Sequence, residues 1–246
     1  MERIRTEKET LELASMSNAT PARIAVGRAG TRPPSSAWIR FRHDHAAARD
    51  AVHSELSEEF IRGYAHAKQL PVVQSMDRDR ADFVLNPPKG KKTTDEQLAK
   101  IREQCPSQQD VQIVICDGLS ALAIESNLRE LLPMLEEGLK IQGITSGKPV
   151  VVHFGRVAIA DQISHALEAK LAINLIGERP GLSSGVGMSA YLTYNPGPNT
   201  ISSDRTVVSN IHDRGTPPVE AGAYIVHLAK TILDRKVSGV ELQKTL

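Results

Sequence analysis

The chain has 246 residues, enough for one large domain or two modest ones to bury a core without help from disulfides or metal. Its charges balance to a net of +1 and only 4% of its residues are aromatic, so it offers neither long-range attraction to a polyanion nor a stacking surface for bases, and nucleic acid is not an expected partner. Cys105 and Cys116 are the only cysteines, which excludes a disulfide framework and a multi-cysteine zinc site.

Met1 to Thr10 alternates acidic and basic side chains without an apolar run, so no secretory signal is expected, and no later stretch approaches the ~20 apolar residues of a membrane span. Reduced thiols, a cytoplasmic location and no membrane partner follow from that reading. Residues 1–22 read as a polar tail or a frayed helix, because Leu11, Leu13 and Met16 are too weakly spaced to reach a core. Gly27-Arg28-Ala29-Gly30 and Pro33-Pro34 then form a turn. Beyond them Phe41, Ala48, Val52, Leu56, Phe60 and Tyr64 recur near helical spacing, the pattern of a small helical unit over residues 23–92. Asn86-Pro87-Pro88-Lys89-Gly90-Lys91-Lys92 closes that unit, since neither helix nor strand continues through it.

From residue 93 to 246 strands and helices alternate. Thr94 is placed to cap a helix through Gln104, and Val111-Gln112-Ile113-Val114-Ile115-Cys116 is a β-branched run of the kind covered on both faces. Leu119 to Ile141 carries Leu122, Leu128, Leu131, Leu132, Leu135 and Leu139 on one face, with Pro133 expected to kink or divide the helix. The strand Val150 to Phe154, a helix from Ile159 to Glu168 and the strand Leu171 to Ile176 come next. Ser189 to Tyr194 reads as a further strand, and a last helix runs through Lys236 with Thr216 as its cap. Alternation of this kind predicts an α/β fold with a parallel, doubly wound sheet. Its ligands would lie at the carboxyl ends of the strands, where Asp117-Gly118, Gly155-Arg156 and Gly177-Glu178-Arg179 fall.

Several local patterns invite chemistry. Gly185-Val186-Gly187-Met188-Ser189-Ala190 matches a dinucleotide fingerprint in spelling but precedes a strand instead of a helix, and no phosphate-binding loop with Lys and Ser/Thr exists. His43 and His45 flank Asp44, yet residues two apart leave a helix in different directions, so a solvated helix start is favoured over a metal site. His153 and His212 have no nucleophile nearby in sequence and read as ordinary hydrogen-bonded histidines. Cys116, between a strand and a helix entry, is the one candidate nucleophile, with His153 or His212 as its partner, although an inert buried thiol is commoner. Gly177-Glu178-Arg179-Pro180-Gly181-Leu182 divides evenly between a loop salt bridge and a ligand contact.

Gly27-Arg28-Ala29-Gly30, Asp117-Gly118-Leu119-Ser120, Gly155-Arg156-Val157, Gly177-Glu178-Arg179-Pro180-Gly181-Leu182, Asp204-Arg205-Thr206, Ser209-Asn210-Ile211-His212 and Gly215-Thr216-Pro217-Pro218-Val219-Glu220-Ala221 occur in one order along the chain. Together they resemble the ethanolamine ammonia-lyase light chain, from about Arg23 to the C-terminal helix. The resemblance implies a small helical unit followed by a Rossmann-like domain over residues 93–246, packed beside a large subunit with a TIM-barrel catalytic domain. It also implies adenosylcobalamin, a cobalt cofactor, at the interface between the two, and ethanolamine converted to acetaldehyde and ammonia. Catalytic residues would belong to the large subunit, with no catalytic residue and no metal ligand in this chain. The cobalamin contacts implied by motif are Val157, Glu178 and Val207, the last replacing a Cys that relatives carry after Asp-Arg-Thr. No Asp-x-His-x-x-Gly motif is present, in keeping with base-on cobalamin. The tail before Arg23 is shorter than in relatives that use it to enter a bacterial microcompartment. A non-catalytic cobalamin-binding scaffold and a cysteine hydrolase built on Cys116 are the alternatives.

Overall fold

The computed structural model describes residues 7–20, 22–182 and 184–244; part of the expected tail, residues 1–6 and 21, lies outside the described residues. Two helices, α1 (Glu7–Asn18) and α2 (Ser35–Val52), open the chain, followed by α3 (Glu58–Phe60), which runs on into a π-helical turn, Ile61–His66. The strand β1 (Val72–Gln74) and helix α4 (Arg80–Leu85) come before α5 (Asp95–Gln104). No strand is apparent in the sequence ahead of Val111 because β1 is three residues long, too short for a periodicity to register.

Alternation then follows the expected course through β2 (Val111–Cys116), α6 (Ala121–Ile141), β3 (Val150–His153), α7 (Ile159–Ala166) and β4 (Leu171–Gly177). Thr94 caps α5 as expected, its hydroxyl accepting from the Gln97 amide at 3.3 Å, and Ser120 caps α6 by accepting from Ala123 at 3.2 Å. Pro133 does not divide α6, which is continuous over its 21 residues. Leu122 departs from the expected apolar face and is exposed.

Beyond β4 the chain returns as β5 (Met188–Tyr194) and β6 (Arg205–Ile211), then ends in α8 (Pro218–Arg235) and α9 (Gly239–Gln243). The six strands form one mixed sheet in the order β1-β3-β2-β4-β5-β6. The parallel pairing expected from alternation holds from β1 to β4, but β5 pairs antiparallel to β4 and β6 antiparallel to β5. The reason is the connections. A parallel neighbour needs a crossover of a dozen or more residues, usually helical, and none intervenes after β4. Thr216 is not the cap of α8; its backbone instead pairs with Asn210 and His212, and Pro217 occupies the cap position.

Helices cover the two faces unequally. On one face α6 and α8 bury Leu128, Leu131, Leu135, Ile225 and Ile232 against Ile173, Leu175, Leu192 and Val208. Each such side chain contributes about 1.5–3 kcal/mol when taken out of water. On the other face α5 and α7 bury Leu98, Ile101, Ile159 and Ile163 against Val73, Val114, Cys116 and Val152, so their cover is centred on the parallel half of the sheet. Among the described residues no helix is long and apolar enough to cross a membrane.

The strand-end turns are packed against one another. Gly118 has φ +57°, and a Cβ there would stand 2.1 Å from the Gly177 carbonyl oxygen. Gly118→Ala adds a left-handed alanine, about 1–2 kcal/mol, to an overlap that backbone must move to relieve. Loss of at least ~2 kcal/mol, a drop of roughly 4 °C or more in Tm, is expected in a thermal melt; an unchanged Tm would show that the turn relaxes freely.

Candidate functional site

The three polar turns meet as the sequence suggests, but backbone fills their meeting point. Asp117 has no exposure and accepts from the Gly155 amide at 3.1 Å, while the Leu119 amide donates to the Gly177 carbonyl at 2.9 Å. Burial pushes the Asp117 carboxyl up to about 6, against the opposing pull of backbone amides and of Arg80. Arg80 is itself buried, 3.6 Å from Asp117, and donates to the carbonyls of Gly118 and Val52 at 2.8 and 2.7 Å. It therefore hooks the end of α2 and the start of α4 onto the end of β2. Among the described residues this junction is closed by backbone-to-backbone contact and by the buried Arg80 and Asp117 side chains.

The open chemistry lies beside it, on the face of the sheet that α7 leaves bare. Strand register places Val150, Val114, Asn174, Tyr191 and Val207 in one row across β3, β2, β4, β5 and β6. Residues paired in register point to the same side of a sheet. The row begins apolar and covered, passes through the buried Asn174 and half-buried Tyr191, and ends at Val207, 46% exposed on the edge strand. Val157, in the turn before α7, and Tyr191 both pack against the buried cluster on this face. The Asn174 side-chain amide donates to the Val157 carbonyl at 3.1 Å, pinning that turn to the row.

Glu178 joins the same group from the end of β4. The Tyr191 hydroxyl donates to one Glu178 carboxylate oxygen at 2.9 Å, and burial with the adjoining carboxylate pushes the phenol up to about 12. Among the described residues Glu178 makes no ion pair with Arg179, so the loop salt bridge weighed from the sequence is absent. Val157, Glu178 and Val207, which lie far apart in the chain, thus border one shelf around Tyr191. Below it Arg205 and Asp161 form a buried pair at 2.5 Å that ties β6 to α7. Asn174, Tyr191 and Arg205 went unassigned in the sequence reading; the findable signal was Asn174, a buried amide within an otherwise apolar strand.

Beside the shelf a cleft of about 400 Å³ is bordered by Glu178, Arg179, Gly187, Asn210, His212 and Arg214. It brings the Gly177–Gly181 loop against Ser209-Asn210-Ile211-His212. His212 is buried and takes an ordinary hydrogen-bonded role, Nε2 meeting Asn210 Oδ1 at 2.9 Å and Nδ1 accepting from the Arg214 amide at 3.2 Å. His153 ends β3, and burial lowers its pKa. His43 is exposed and meets Asp44, which also pairs with Arg23; His43, Asp44 and His45 lie midway along α2, on a solvated helix side and not at the helix start expected. Among the described residues no group of three or more His, Cys, Asp or Glu could hold a metal ion. Gly185 to Ala190 leads into β5, a strand, as its setting in the sequence suggested.

The chain matches the family model described as ethanolamine ammonia-lyase light chain (EutC) over residues 10–243. A protein of Clostridium acetobutylicum named ethanolamine ammonia-lyase small subunit is 44% identical over 232 residues, covering 94% of each chain. One of the same name from Fusobacterium nucleatum subsp. nucleatum is 42% identical over 238 residues, covering 97% of this chain and 79% of the relative.

Cys116 is completely buried, and burial together with the charge of Asp117 raises its thiol well above the ordinary range, the opposite of what a nucleophile requires. Burial also pushes Cys105 up to about 11. Both thiols are expected to resist a disulfide reagent at pH 8 in the native chain and to react fully once it is unfolded. A fast-reacting native thiol would restore Cys116 as a candidate nucleophile.

Proposed function

The chain belongs to the ethanolamine ammonia-lyase light-chain family, and from that premise we propose that it is the small subunit of an adenosylcobalamin-dependent ethanolamine ammonia-lyase. In this reading it packs against a large subunit whose TIM barrel holds the catalytic residues, and cobalamin lies between the two. The sheet with its preceding helices then serves as a Rossmann-like, doubly wound cofactor platform joined to an N-terminal helical unit. The enzyme works in the cytoplasm or within a bacterial microcompartment.

The observation that carries the proposal is that strand register sets Val207 beside Tyr191, while hydrogen bonds tie Glu178 to Tyr191 and the Val157 carbonyl to Asn174 in the same row. A corrin rim alternates methyl groups with primary amides. Two valines beside a carboxylate match that alternation: the valines offer apolar surface, and Glu178 offers an acceptor for an amide N–H. With one oxygen held by Tyr191, the carboxylate is oriented before any ligand arrives, which lowers the entropy lost on binding. Adenosylcobalamin would supply the radical chemistry that removes ammonia from ethanolamine to leave acetaldehyde. The part of this chain is to position the cofactor, with Val157 and Val207 keeping water from its edge. The buried thiol of Cys116 disfavours the hydrolase alternative.

The isolated chain is expected to show no ethanolamine deamination, and turnover should appear only with the large subunit and adenosylcobalamin. Turnover by the purified chain alone would defeat the proposal, and an assembled complex that binds cobalamin without deaminating ethanolamine would favour the scaffold reading. Within the assembled complex Glu178→Ala should weaken cobalamin binding by about tenfold to a hundredfold, since a hydrogen bond to a charged acceptor is typically worth ~1.5–3 kcal/mol. Tyr191→Phe should shift affinity the same way by less. Equal dissociation constants for wild type and Glu178→Ala would remove the role given to the carboxylate.

A further inference from the structure

The cleft next to the shelf has a charge pattern that the shelf itself does not use. Arg179 and Arg214 stand on it from separate loops, both exposed. Among the described residues neither guanidinium forms an ion pair, and the one carboxylate at the cleft, Glu178, is already bonded to Tyr191. His212 adds no charge in this arrangement. Its Nδ1 accepts from the Arg214 amide, which leaves Nε2 as the protonated nitrogen facing Asn210 Oδ1, the pattern of a neutral imidazole.

Both arginines are carried by braced backbone. The Glu178 amide donates to the Gly187 carbonyl at 3.0 Å and the Gly181 amide to Ser184 at 3.0 Å, closing the loop that bears Arg179. Arg214 lies in a turn held by Gly215 donating to His212 and Thr216 donating to Asn210, at 2.8 and 2.9 Å. Gly215 is fitted to this turn, since a Cβ there would meet the Asn210 carbonyl at 2.2 Å. Two guanidiniums without ion-pair partners, facing a single carboxylate at one cleft, leave an excess of positive charge that suits an anion with several oxygens, above all a phosphate group.

We infer that this cleft binds the phosphodiester of the cofactor's nucleotide tail, with Arg179 and Arg214 as its counter-cations. The inference rests on the shelf holding cobalamin, and Glu178 is what joins the two: it borders both shelf and cleft, so a corrin lying along the shelf brings its peripheral groups to the cleft. Those groups are uncharged amides and methyls, with a single anionic exception. The phosphodiester that links the corrin to its nucleotide is the group in the cofactor that two cations would select.

Cobinamide, which has the corrin but lacks the phosphodiester and nucleotide, separates the two ideas. Dissociation constants are measured spectrophotometrically for the assembled heterocomplex with cobalamin and with cobinamide, using wild type, the Arg179→Ala/Arg214→Ala double variant and Glu178→Ala. The double variant should lose roughly tenfold to a hundredfold in affinity for cobalamin while binding cobinamide like wild type. Glu178→Ala should weaken both ligands. Unchanged cobalamin affinity in the double variant overturns the inference, as does an equal loss for both ligands, which would place the arginines against the corrin itself. Failure of the double variant to assemble also overturns it, assigning the arginines to the large subunit. If Glu178→Ala changes neither ligand, the shelf reading fails, and the inference falls with it.

Discussion

The register between β4, β5 and β6 is the constraint on which the site depends. Side chains alternate faces along a strand, so a slip of one residue would carry Tyr191 and Val207 to the side filled by α6 and α8. It is held by the opposite face: Ala190, Leu192 and Val208 are buried against those helices, and a slip would expose them together. The site's geometry is thus enforced by hydrophobic burial on the side of the sheet where no ligand is proposed. A register irregularity between Met188 and Ala190 lets β6 pair correctly at both ends despite the extra residue near its close.

Polar groups on the shelf side then fix positions more than they add stability. A buried pair such as Arg205 and Asp161 recovers little more than its desolvation cost, but removing one partner would strand a buried charge, and the pair therefore holds α7 and β6 in one relation. Asn174 does the same for the turn carrying Val157, and Tyr191 for the carboxylate of Glu178. Arg80 provides the corresponding link for the first part of the chain, donating to carbonyls at the end of α2 and after β2. With these links in place, three residues separated by tens of positions in sequence become one preoriented surface.

Much of the fold was legible in the sequence where elements were long and their chemistry local. The apolar runs of β2, β3 and β4, the hydroxyl cap at Thr94 and the apolar stripe of α6 each follow from neighbouring residues. β1 and β6 were not legible: the first is too short, and the second, Arg-Thr-Val-Val-Ser-Asn-Ile, is an edge strand whose exposed side needs no apolar residues. The switch to antiparallel pairing lay in the connections, which alternation of strands and helices does not encode. Pro133 is expected from its local cost to kink or divide α6; that the helix is not divided goes with the packing of α6 against α8, a long-range property. Of the site, Val157, Glu178 and Val207 came from motif resemblance; Asn174, Tyr191 and Arg205 became meaningful only once pairing set them side by side.

A structure of the heterocomplex with cobalamin bound tests the central claim most directly, because it locates the corrin against the sheet. The expected result is a corrin edge in van der Waals contact with the side chains of Val157 and Val207, with a peripheral amide donating to Glu178. A corrin enclosed wholly by the large subunit, with solvent or a protein segment covering the face at Tyr191 and Val207, would contradict it.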